Sequence, residues 1–130
     1  MQVPDFELRA MARCNGGFTY CCVTGRHVGK GDGELRLRGF MVSLPGCEHK
    51  CPLDNTDVAD YVDRNAEALK VPGNYFGGWV EDGVLFLDVS RNVATLAEAL
   101  ELGRQWGQLA VYDLDNGQCL RVPECAGCGG

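Results

Sequence analysis

The chain has no apolar run approaching the roughly 20 residues that a membrane-spanning helix requires. Basic residues are in deficit: 12 Lys and Arg stand against 18 Asp and Glu, for a formal net charge of −6. That balance argues against direct nucleic-acid binding, which needs a basic stripe to meet the phosphates, and leaves room for a basic partner. No repeat or low-complexity stretch occurs. The Gly-rich segment "GRHVGKGDG" lacks the Gly-Lys-Ser/Thr ending of a phosphate-binding loop. The opening "MQVPDFELRAMARC" carries charges where a signal peptide needs an apolar stretch, so a cytoplasmic location is expected.

What the chain does hold is cysteine, eight in 130 residues. In a reducing cytosol, clustered cysteines hold metal or carry redox chemistry, and scattered ones fill core space. "PGCEHKCP" sets Cys47, His49 and Cys51 between Pro and Gly, and "CAGC" sets Cys125 and Cys128 in a Gly-rich tail. Two short-spaced pairs from distant segments are the usual ligand set of a tetrahedral structural zinc. We therefore expect zinc held by Cys47, Cys51, Cys125 and Cys128, with His49 as an alternative ligand. Such a site would tie the tail, 123–130, to the 45–52 loop. Cys14 and Cys119 are spare ligands, and one of Cys21 and Cys22 should be buried. The CxxC pair is alternatively a redox dithiol, although "CAGCGG" opens no helix to activate a thiol.

The periodicities predict one α+β domain spanning 1–130, ordered ββ-α-ββ-α-ββ, with a mostly antiparallel sheet built from hairpins and two helices on one face. "FTYCCV" and "LRLRGFMVSL" read as the first hairpin, with a change of face at Gly39 suggesting a bulge. "DNTDVADYVDRNAEALKVPG" reads as one helix with Val58, Tyr61, Val62, Ala66 and Leu69 inward. "GGWVEDGVLFLDVS" gives a hairpin turning at Asp82-Gly83, and Thr95 with Glu98 forms a capping box for the second helix. A last hairpin turns at Asn116-Gly117.

Outside the cysteines, His27 in its Gly-rich loop is a candidate base, with Asp88, Ser90, Asp113 and Asp115 at strand ends as possible partners. Together they would suit a small hydrolase or transferase. Loop histidines are more often solvated, and such aspartates more often set turns. Tyr75, Phe76 and Trp79 form a candidate aromatic platform, with hairpin packing as the simpler reading. The outer side of the first helix carries Asp57, Asp60, Asp63 and Glu67, a solvated face or a surface for a basic partner.

Four stretches, "GFMVSLPG", "DVADYVDRNAEAL", "GGWVEDGVLFLDVS" and "EALELGRQWGQLAVYDL", resemble small proteins of actinobacterial phages and prophages. The resemblance covers roughly residues 39–114 and brings no catalytic residue. It implies a phage-type protein acting inside a bacterial cell. The expected function is then a non-enzymatic, zinc-stabilised module that binds a host protein.

Overall fold

A computed structural model describes residues 3–29, 33–53 and 58–123. The chain is an α+β protein. In order come α1 (Asp5–Asn15), β1 (Gly17–Cys21), β2 (Arg26–His27), β3 (Phe40–Ser43), β4 (His49–Pro52), α2 (Val58–Arg64), α3 (Ala66–Leu69), β5 (Asn74–Glu81), β6 (Val84–Val93), α4 (Leu96–Gln105), β7 (Ala110–Asp113) and β8 (Gln118–Arg121). The strands form one sheet in the order β2-β1-β5-β6-β3-β7-β8, with every strand pair antiparallel.

β6 is the spine. One of its edges pairs with β5 along its length; the other is shared by β4, at Val84–Leu87, and β3, at Ser90–Val93. The chain between those two partners, Leu44 to Glu48, leaves the ladder after Leu44 N–H donates to the Val89 carbonyl.

The β5–β6 hairpin turns at Asp82-Gly83 as expected, both with φ positive (53° and 75°), as a tight hairpin turn requires. β7–β8 turns through the four residues 114–117, so the expected Asn116-Gly117 pair lies in the turn, with φ positive at Gly117 (65°) and not at Asn116. The first expected hairpin does not form. β1 pairs with the short β2 and with β5, whereas Phe40–Ser43 pairs with β6 and β7. Gly39, just ahead of β3, has φ +85° and would place a Cβ 2.3 Å from the Val93 carbonyl oxygen. β3 begins beyond that close approach, and the preceding Leu35 forms an isolated bridge to Val28.

There are four helices among the described residues, not two. α1 buries Leu8 and Ala12 and closes on Gly16, whose N–H donates to the Ala12 carbonyl. The first expected helix is split at Asn65, which leaves helical geometry and donates from its side-chain amide to the Tyr61 carbonyl at 2.9 Å. Of its expected inward stripe Val58, Tyr61, Val62 and Leu69 are buried, and Ala66 is half-buried. α4 starts at the expected box: Thr95 Oγ1 accepts from Glu98 N–H at 3.2 Å.

Alternation along β6 sends Leu85, Leu87 and Val89 to one side of the sheet, where Phe76 stacks on Tyr61 (5.4 Å) and meets the Phe18 ring edge-on (5.1 Å). α1, α2 and α3 close this core. A second cluster, with Val42, Val111 and Val122, forms under α4 on the same side. No described helix is long and apolar enough to cross a membrane.

Candidate functional site

Register alone brings the site together. Residues directly opposite in neighbouring strands share a face. On the side away from the helices, Tyr75 of β5, Ser90 of β6 and Ser43 of β3 stand in one row, and Gly77 with Asp88 in the next. Trp79 stacks flat on Phe86 (5.3 Å, 5°) one row further on. Toward the other edge, Met41 lies opposite Tyr112 of β7, which lies opposite Cys119 of β8. Tyr75, Ser90, Ser43, Asp88, Trp79, Met41, Tyr112 and Cys119 line a cavity of about 460 Å³ on the uncovered face, and among the described residues no Lys or Arg contributes to its lining.

Asp88 is its focus. The residue sits inside a central strand, where Asp is disfavoured, and is only 6% exposed. Oδ2 accepts from Ser43 Oγ at 2.8 Å and from Ser90 Oγ at 3.2 Å. Oδ1 lies over Gly77, where a Cβ would stand 2.8 Å from it, and receives no hydrogen bond from a described residue. Burial raises the carboxyl above its ordinary pKa, and nearby Glu48 raises it further, against the lowering effect of the two serine hydroxyls. A buried carboxylate without a cation of its own is costly, because the charge loses hydration that two hydroxyls do not replace. Conflicts of this kind between local composition and global fold mark functional positions.

The expected catalytic group is dispersed. His27 pairs with Tyr20, and that parity places it on the helix side, where Nε2 meets Glu7 Oε1 at 3.2 Å and the ring packs edge-on against Tyr20. Its Nδ1 is buried and has no hydrogen-bond partner among the described residues. Asp88 faces the opposite side. Asp113 closes the last hairpin: Oδ1 accepts from the Asp115 and Asn116 amides, and Oδ2 from the Asn116 side chain. Asp115 meets Arg38 at 3.5 Å.

The "PGCEHKCP" segment, read as a loop, is in part an edge strand, β4, because Val84–Leu87 of β6 offers it an open edge. His49 and Cys51 therefore share a face. His49 lies 6.2 Å from the Tyr61 ring, while the Cys51 thiol is half-buried and donates to the Leu85 carbonyl. Cys47 is half-buried, its thiol pushed up by burial and by Asp88, and its carbonyl accepts the Tyr61 hydroxyl. Among the described residues no three metal-ligating side chains converge. Cys125, Cys128 and Asp57 lie outside the described residues. Asp60, Asp63 and Glu67 are exposed on α2 and α3, with Asp60 paired to Arg64 at 2.9 Å. Cys21 is the buried member of its pair, and burial pushes Cys22 up to about 11.

Of the aromatic trio, Phe76 belongs to the core, whereas Tyr75 and Trp79 line the cavity. Sequence reading missed Ser43 and Tyr112 as members of the site. Their only local signal is parity with Met41 and Ala110, opposite to that of buried Val42 and Val111. No protein-family model matches the chain, and neither a curated protein nor a solved structure is similar to it.

Proposed function

We propose that the chain is a non-enzymatic binding module, directed at a protein of a bacterial host, whose partner docks on the uncovered face of the sheet. The observation that carries this reading is the cavity over Asp88: a buried acid ringed by Tyr75, Trp79 and Tyr112 on the side of the sheet without helices. Trp79 and Tyr112 remain 38% and 42% exposed, and aromatics at the mouth of a desolvated pocket are typical anchors of recognition. The host setting comes from the resemblance to actinophage proteins. A structural zinc at Cys47, Cys51, Cys125 and Cys128, with His49 in reserve, belongs to the same reading; Cys47 and Cys51 both lie at the margin of the core.

The test is a photo-crosslinking residue placed at Tyr112, at Trp79 or at Glu67, in actinobacterial cells producing the protein. One identified adduct from positions 79 and 112, lost on Asp88→Asn, supports docking on the sheet. The same adduct from position 67 alone moves the interface to the acidic helix face of Asp57, Asp60, Asp63 and Glu67. No adduct at any of the three positions overturns the reading.

A second reading keeps the enzyme class, because a carboxylic acid with a raised pKa in a cavity is also the arrangement of a general acid. It requires a chemical turnover that Asp88→Asn abolishes while ligand affinity survives.

A further inference from the structure

The binding reading leaves open what enters the cavity, and the geometry points to a guanidinium: an arginine side chain seated with its planar head on Asp88 and its faces against the aromatic walls. The inference rests on the uncovered face being the binding surface and adds the chemistry of the occupant.

Four observations converge on it. First, Asp88 is buried and no basic side chain among the described residues lines its cavity, which leaves its charge open to a cation from outside. Second, the carboxylate is half-used. Oδ2 takes the Ser43 and Ser90 hydroxyls, leaving Oδ1 to accept over Gly77, where no side chain crowds it. Third, each hydroxyl that donates to Oδ2 keeps lone pairs of its own. An incoming group with several coplanar N–H donors can therefore reach Oδ1 and a serine oxygen together, which a guanidinium with five donors in a fixed fork does and a round ammonium does poorly. Fourth, Tyr75, Trp79 and Tyr112 present aromatic surface to the same space. Aromatic faces attract cations and stack on flat guanidinium, whose weak hydration makes it the easier cation to bury. The net charge of −6 favours approach of such a group from a distance.

The experiment is an NMR titration of the full chain with the blocked amino acid N-acetyl-arginine methylamide. Its citrulline counterpart, a neutral isostere, and its lysine counterpart are run in parallel. The arginine probe is expected to shift the amides of Gly77, Asp88 and Ser90 saturably, and the citrulline probe to bind about tenfold or more weakly, as loss of a charge-assisted hydrogen bond implies. Asp88→Asn, which preserves shape, should remove the arginine–citrulline difference; Glu101→Gln on α4, an exposed position outside both candidate surfaces, should leave it intact. A fold check by amide spectrum accompanies each variant, and Ser43→Ala, expected to weaken the arginine probe more mildly, gives a second route if Asp88→Asn is disturbed. Equal binding of arginine and citrulline, tighter binding of lysine than arginine, or no shift at Gly77 and Asp88 overturns the inference. Free arginine binding as tightly as the blocked probe identifies a small-molecule guanidinium as the source; tighter binding of an arginine-containing peptide identifies a protein. Crosslinks at positions 79 and 112 without guanidinium selectivity would leave the binding-module reading standing and remove only this assignment.

Discussion

Asp88 and Gly77 face each other across β5 and β6, with carboxylate oxygen Oδ1 occupying the space a Gly77 side chain would need, 2.8 Å from where its Cβ would sit. The missing side chain and the buried charge are one device. Its consequences can be measured separately from any partner.

Because burial holds the Asp88 carboxyl above the unfolded value near 3.8, folding favours the protonated form. The stabilising contribution is complete below that value and is lost as pH rises through the higher folded-state pKa. Asp88→Asn is therefore expected to melt at a higher temperature than the parent at pH 7, with the gap closing as pH falls toward 4. Thermal melts across a pH series check it; a variant less stable at every pH would mean the carboxylate is structurally required.

Gly77→Ala should push the Asp88 carboxylate off its place. Overpacking of this kind costs about 1–3 kcal/mol, and the Asp88 pKa should move with it. Denaturant melts and carboxyl NMR titration read the two effects.

At Gly39 the obstruction is backbone rather than side chain, since the Val93 carbonyl oxygen would lie 2.3 Å from a Cβ at positive φ. Gly39→Ala is expected to cost about 2 kcal/mol or more and to loosen β3 from β6. Hydrogen exchange at Val42 and Arg91 locates the damage.

Phe76 is fully buried between Tyr61 and Phe18. Phe76→Ala should destabilise by about 3–5 kcal/mol, a large part of a small domain's stability. Thr95→Ala, which removes a single helix cap, should cost only about 1 kcal/mol, with Thr95→Asp restoring it.

The zinc expectation is checked by native mass spectrometry on protein purified without a histidine tag or added metal. One zinc per chain, lost with thermal stability in Cys47→Ser and Cys125→Ser, is the expected outcome. A metal-free chain whose Cys47 and Cys125 thiols react freely with a thiol reagent would discard it.

Whatever is encoded locally can be read from the sequence here. Asp82-Gly83, Asn116-Gly117 and the Thr95–Glu98 box each announce their turn or cap because a few neighbouring residues decide them. α1 has a fainter signal of the same kind, in the spacing of Leu8, Met11 and Ala12 ahead of Gly16. Strand partnership is different. That Phe40–Ser43 joins Ser90–Val93 rather than β1 depends on which edges remain open after β5 and β6 pair, a property of the whole sheet. The site shares this limit. Asp88, Tyr75 and Trp79 attract notice as residue types, yet their convergence with Ser43 and Tyr112 exists only through non-local register. β6 also continues to Val93, so Asp88 lies within a strand and not at its end.

The sharing of β6 between two cores bears on how the chain folds. Leu85, Leu87 and Val89 serve the larger core, and Val93 the smaller one under α4. β5 and β6 are joined by a tight turn, so their pairing closes the least chain entropy of the long ladders and is the natural nucleus. The two flanks can then condense on its opposite edges: β1 on β5, and β3 with β7 and α4 on β6. The last amides to exchange should accordingly be those between β5 and β6, and the α4–β7–β8 flank should open as a unit before them.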